Sequence, residues 1–159
     1  MSVKTKKIKA LDVANYFLFI SNKEKRPITN KKLQKLVYYA QVWHSVLENK
    51  KLFKEDFEAW VHGPVIPKLY DKFKVFGSGV IIIDDSELKF SFNKKKRDFL
   101  ENIWEVYGKY DADYLESLVH SELPWQKARE GFSSGEPSQN KINLKIAKEY
   151  YARKLQENR

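Results

Sequence analysis

Ala59-Trp60-Val61-His62-Gly63-Pro64-Val65-Ile66-Pro67-Lys68-Leu69-Tyr70-Asp71-Lys72-Phe73 is the stretch on which the reading of this chain turns. Gly63 can take backbone angles closed to other residues, and Pro64 pushes it away from the helical region. Pro67 restricts Ile66 in the same way and lacks the N–H that a helix interior needs. A proline so placed fits the first position of a helix. The stretch therefore predicts an extended arm over 57–62, a sharp turn at Gly63-Pro64, and a helix from Pro67 to Phe73 or Phe76.

Working outward, Ile8, Leu11, Ala14, Phe17 and Leu18 fall at helical spacing and predict a first helix ending near Ser21. Thr29 or Asn30 can cap a long second helix, on which Leu33, Leu36, Val37, Ala40, Trp43, His44 and Leu47 form one apolar stripe. Lys31, Lys32 and Lys35 are expected off that stripe. Downstream, Val80–Ile83 is β-branched, Asp84-Asp85-Ser86 is a turn cluster, and Leu88, Phe90 and Phe92 alternate. Together they predict a small β-hairpin around 80–92 that packs on the helices. Asn93, Asp111 and Asn143 are candidate caps for helices running to Tyr107, to His120 and over 143–157. Pro124 suits the first position of a short helix. Residues 131–140 are rich in Gly, Ser and Pro and read as a mobile loop, and residues 1–7 as a frayed basic lead. The expected fold is a mainly α, compact helical domain of six or seven helices with one small hairpin, spanning 1–159 as one domain.

The 159 residues contain no cysteine, which excludes disulfides, thiolate metal sites and a cysteine nucleophile. No apolar run approaches the roughly 20 residues of a membrane span, so a soluble, cytoplasmic protein without membrane partners is expected. The formal charge is +9, but it is unevenly spread. Residues 1–54 hold 13 Lys+Arg against 3 Asp+Glu, while 55–159 hold 17 against 18. A basic patch of Lys23, Lys25, Arg26, Lys31, Lys32, Lys35, Lys50, Lys51 and Lys54 would suit nucleic acid or an acidic protein. Lysine outnumbers arginine in it, whereas bidentate recognition favours arginine.

The three histidines, His44, His62 and His120, lack the i, i+4 spacing of helical metal sites. Each reads more readily as a structural group: His44 satisfied at the core boundary, His62 bonded to the turn backbone, His120 bridging a carboxylate such as Glu122 and a carbonyl. No nucleophile elbow, phosphate loop or metal-binding carboxylate pair is present. No catalytic residue, cofactor or metal is expected, and the chain reads as a binding protein rather than an enzyme. Tyr38-Tyr39 and Tyr150-Tyr151 are adjacent pairs, and one member of each is expected at the surface, available to a partner.

Upstream of the Gly-Pro stretch lies Lys32-Leu33-Gln34-Lys35-Leu36-Val37-Tyr38-Tyr39-Ala40-Gln41, and near the end Val119-His120-Ser121-Glu122-Leu123-Pro124-Trp125. With Trp60, His62, Gly63, Pro64, Pro67 and Tyr70 between them, these segments resemble the Panacea-domain family, also described as SocA-like or GepA-like phage-associated proteins. The resemblance covers roughly residues 8–130. Val119 stands where Thr is common, so a hydrogen bond made by that Thr is not expected here. The resemblance implies a largely helical domain acting as an antitoxin that binds and neutralises a toxin encoded nearby. In one branch it implies an adaptor that delivers the toxin to an ATP-dependent protease. The alternatives are a nucleic-acid-binding regulator using the basic N-terminal third and a phage-borne inhibitor of a host defence protein.

Overall fold

Residues 7–158 are described by a computed structural model. The frayed lead expected over 1–7 lies, but for Lys7, outside the described residues. Among those described, the elements are α1 (Ala10–Lys23), α2 (Asn30–Glu48), β1 (Glu58–Trp60), β2 (Gly63–Val65), α3 (Pro67–Phe73), α4 (Lys94–Tyr107), α5 (Ala112–His120), α6 (Leu123–Ala128) and α7 (Leu144–Glu157). The domain is mainly α, with one two-stranded antiparallel sheet.

Helix starts follow local chemistry. The side chains of Thr29, Asn93, Asp111 and Asn143 each accept a hydrogen bond from a backbone N–H of the first turn, satisfying a donor the helix itself cannot. Pro67 opens α3, where its missing N–H costs nothing. Asn49 ends α2 in the left-handed conformation at φ 57°, which asparagine tolerates better than most residues.

α2 is the axis of the domain. It packs against α1, α3, α4, α5, α7 and β2, so it is buried on every side rather than along one stripe. Every residue from Leu33 to Val42 is buried, Tyr38 and Tyr39 included. The expectation that one of this pair faces solvent is therefore corrected: a helix surrounded by neighbours has no solvent face at that level. Leu47, expected in the stripe, is 58% exposed in the last turn of α2. In the second pair the expected division holds, with Tyr151 buried and Tyr150 half-buried.

The hairpin is present but not at 80–92. It is β1–β2, with Trp60 opposite Gly63 and Val61-His62 as the two-residue turn. Gly63-Pro64 thus begins the second strand instead of forming the turn, and Gly63 takes φ 120° there. The 80–92 segment stays irregular because its polar groups find other partners. Ile81 N–H donates to the Ile28 carbonyl at 2.8 Å. Asn15 donates to the Lys89 carbonyl and Asn22 to the Ile83 carbonyl, both at 2.9 Å. Phe90 and Phe92 pack edge-on against Tyr16 of α1. The alternation Leu88-Phe90-Phe92 reflects packing on a helix, not pairing with a strand.

Candidate functional site

The three motifs, distant in sequence, meet at the hairpin. Gln34 of α2 accepts a hydrogen bond from Ile66 N–H at 3.1 Å and donates to Asn30 at 3.0 Å. It thereby fixes the strand-to-helix joint just before Pro67. Trp125 of α6 donates its indole N–H to the Trp60 carbonyl at 2.9 Å. His120 stacks on Trp125 with ring centroids 3.9 Å apart. Arg129, 5% exposed, donates to the Ala59 carbonyl at 2.8 Å and lies over Trp125. The same guanidinium bonds the carbonyls of Ser133 and Glu136, tying the 131–140 loop to the hairpin.

Lys35 is the unexpected member. Its spacing predicts a position off the apolar stripe, yet it is 1% exposed. Its stem runs beneath Gly63: a Cβ built there would stand 2.6 Å from Lys35 Cε and 3.2 Å from Val119 Cγ1. Glycine at 63 is therefore required twice, for its backbone angle and for this close approach. Val119, where a Thr would have carried a hydroxyl, supplies a methyl to that contact. Burial, reinforced by the charge of Lys31 and opposed by Glu116, pushes the Lys35 amine down to about 7. Among the described residues the amine has no hydrogen-bond partner and no carboxylate within salt-bridge distance, unlike Lys31, which pairs with Asp113 and Glu116 at 3.0 Å each.

Beside Lys35 opens a cleft of about 970 Å³, bounded by the start of α2, the hairpin turn, Tyr70 of α3, the start of α5 and residues 137–139. Its walls carry Ile28, Val65, Trp60 and Tyr70. At its rim His62 bonds Glu116 at 2.7 Å, not the turn backbone as expected. Partial burial would raise the Glu116 carboxyl, but hydrogen bonds from Lys31 and His62 outweigh it and hold the group below the usual range. His120 does not bridge to Glu122. It bonds the backbone at Val61, burial lowers its pKa, and its Nε2 is buried without a partner. His44 is satisfied as expected, with Nδ1 on the Lys50 carbonyl at 2.8 Å and Nε2 facing Lys96.

Glu122 belongs to a second network. It accepts from Tyr39 at 2.7 Å and from Tyr151 at 2.8 Å, and the Tyr38 and Tyr151 hydroxyls are 3.1 Å apart. Burial raises the carboxyl above its ordinary range although both tyrosines work against that shift. The network clamps α2, α7 and the α5–α6 junction. Gln41 plays a similar part for the loop after α2, accepting from Leu52 N–H at 2.8 Å and donating to the Phe53 carbonyl at 2.7 Å. Lys32, Leu33, Leu36 and Ala40 complete the α2 motif. Leu33, Leu36 and Ala40 are core, and Lys32 reaches the Gly108 carbonyl across Trp104.

The sequence-derived basic patch is only partly a surface. Lys35 is interior, Lys31 is paired, and Lys32 and Arg26 both bond Gly108. Lys51 lies 3.9 Å from Asp56, while Lys23, Lys25, Lys50 and Lys54 are exposed. Sequence reasoning missed Arg129 and Gln34, both polar residues consumed in the interior. The one signal for Arg129 was its place four residues after Trp125, where a cation can cover the ring. Among the described residues no group of three His, Asp or Glu side chains is placed to hold a metal ion, and no helix is long and apolar enough to cross a membrane.

The family described as antitoxin SocA-like, Panacea domain, matches residues 33–126. The chain belongs to this family. The matched span of the Panacea domain starts at Leu33 and ends just after Trp125, so it contains the contacts joining Lys35, Gly63 and Val119 and the Trp60–Trp125 hydrogen bond. Its boundary leaves α1 and α7 outside, although both pack against α2. No curated protein and no solved structure matches the chain.

Proposed function

We propose that this Panacea domain is an antitoxin that neutralises a toxin protein, encoded beside it, by direct binding and occlusion rather than by chemistry. Membership of the SocA-like antitoxin family across residues 33–126 carries the reading. The geometry adds a division of labour. Motif residues such as Tyr39, Gly63, Glu122 and Trp125 are engaged in holding the hairpin and helices together. Partner contact is then left to exposed positions, among them Val75, Ile82, Tyr114 and Phe132. In the adaptor version of the proposal, the bound toxin is passed to an ATP-dependent protease in the cytoplasm.

Co-expression with the adjacent open reading frame, followed by affinity purification at low and high salt, tests the reading. Growth rescue and a complex that survives high salt support it. Recovery of nucleic acid that washes off with salt, without a protein partner, overturns it, because phosphate binding weakens steeply with salt. Toxin half-life with and without the protease separates delivery from plain occlusion.

A further inference from the structure

A buried lysine without a counter-charge is costly, and the fold places one against an open cleft. Lys35 is 1% exposed, lines the cleft of about 970 Å³ and has no hydrogen-bond partner among the described residues. Among the described residues no carboxylate pairs with it: Glu116 acts on the amine only at longer range. Lys31 already holds Asp113 and Glu116, and Lys32 bonds the Gly108 carbonyl. The cleft volume is that of a small-molecule pocket, and such pockets combine apolar walls with few convergent polar groups. Here the walls are Ile28, Val65 and the edge-on pair Trp60 and Tyr70, whose ring centroids are 5.2 Å apart. The 19-residue helix α2 also begins at the cleft, with the positive end of its dipole there.

We propose that this cleft binds a small monocarboxylic acid with a flat apolar body, its carboxylate on the Lys35 amine and its body against Trp60 and Tyr70. One uncommitted amine compensates one negative charge. A phosphate bears nearly two, and it would also face Asp111 and Asp113, which share the lining. A neutral ligand could accept a hydrogen bond from the amine but would leave its charge uncompensated. A carboxylate satisfies it and forms a charge-assisted hydrogen bond in a largely desolvated place.

The test uses the full chain, ¹⁵N-labelled, titrated with indole-3-acetate and separately with indole-3-acetamide to 10 mM. The expected result is a saturable shift of the Val61, His62, Val65 and Gly77 amides with the acid. Binding of the amide should be at least tenfold weaker. Lys35→Met should weaken acid binding at least tenfold while keeping the dispersed spectrum of a folded chain, and the remote Lys51→Met should leave it unchanged. Absence of saturable shifts with the acid, equal binding of acid and amide, or undiminished binding by Lys35→Met each overturns the proposal. If Lys35→Met does not fold, the acid-to-amide ratio on the unaltered chain decides alone. No toxin enters this experiment, so its failure leaves the antitoxin reading untouched.

Discussion

Lys35→Met should stabilise this domain, and by an amount that depends on pH. Burial lowers the amine from 10.5 to about 7 in the folded state. The unfolded chain then binds more protons than the folded one between those two values, so stability rises with pH across that window. Below pH 7 the full cost of burying the charge is present; above 10.5 it is gone. At about 1.4 kcal/mol per unit, the displacement corresponds to roughly 5 kcal/mol, a large share of the stability of an ordinary domain. Methionine follows the lysine stem closely and is pliable enough to fill the space beneath Gly63. The variant should therefore exceed the parent by several kcal/mol at pH 6, and the gap should shrink by about 1.4 kcal/mol per pH unit from 7 toward 10. Lys32, Lys96, His44 and His120 are also lowered by burial, but they are common to both proteins and cancel in the difference. Urea unfolding followed by tryptophan fluorescence at pH 6, 8 and 10 measures it. A gap that does not change with pH, or a variant less stable than the parent at pH 6, refutes the claim that the amine is a desolvated charge.

Gly63→Ala should cost about 2–4 kcal/mol, from an alanine held at φ 120° and a Cβ driven against Lys35 and Val119; an unchanged melting midpoint would remove the reason given for glycine there. Glu122→Ala should cost about 2–4 kcal/mol by stranding the Tyr39 and Tyr151 hydroxyls. Glu122→Gln keeps an acceptor and sheds a buried charge, so its stability at pH 7 should lie within about 1 kcal/mol of the parent, as read by thermal melts of both variants. Arg129→Ala should destabilise by about 2–3 kcal/mol and speed amide hydrogen exchange across 131–140, since three carbonyls lose their donor together; exchange unchanged in that loop would show that it is held by something else. Tyr39→Ala should cost about 3–5 kcal/mol, as emptying a core aromatic site does, whereas Tyr150→Ala should cost under about 1 kcal/mol as a surface change; the reverse order in chemical denaturation would contradict the burial of the first pair.

What could be read from sequence was local. A cap residue announces itself, because Thr29, Asn93, Asp111 and Asn143 act on backbone groups three residues away. The helix that starts at Pro67 was legible for the same reason. The mainly α class follows from such signals, and the two outer motifs flanking the Gly-Pro stretch pointed to the family. What could not be read was set by distant neighbours. Nothing within α2 says that six other elements surround it, so a period that looks one-sided hides a helix buried all round, with Tyr38, Tyr39 and Lys35 inside. Residues 80–92 carry a strand-like alternation, but the hydrogen bonds a strand would need go to Asn15, Asn22 and Ile28. The turn slipped from Gly63-Pro64 to Val61-His62 for a related reason: the Trp60–Gly63 register is held by Trp125 and Arg129, which lie more than 60 residues downstream.

The candidate site shows why the motif residues of this domain should not be taken as its contact surface. Trp125 is held to the Trp60 carbonyl and Glu122 to two buried hydroxyls. A partner that used these groups would have to unpair them first, losing about as much as it gained. Lys35 is different, since its amine holds no hydrogen bond among the described residues and Lys35 lines the cleft. The fold thus separates two kinds of polar motif residue by a physical criterion, whether the group's hydrogen-bonding capacity is already met inside the chain. By that criterion the hairpin clamp is architecture, and the Lys35 cleft is the place in the motif region where a ligand stabilises the protein instead of competing with it. A ligand seated there would press on Val61, His62 and Val65, and through them on the turn that α5 and α6 hold in place.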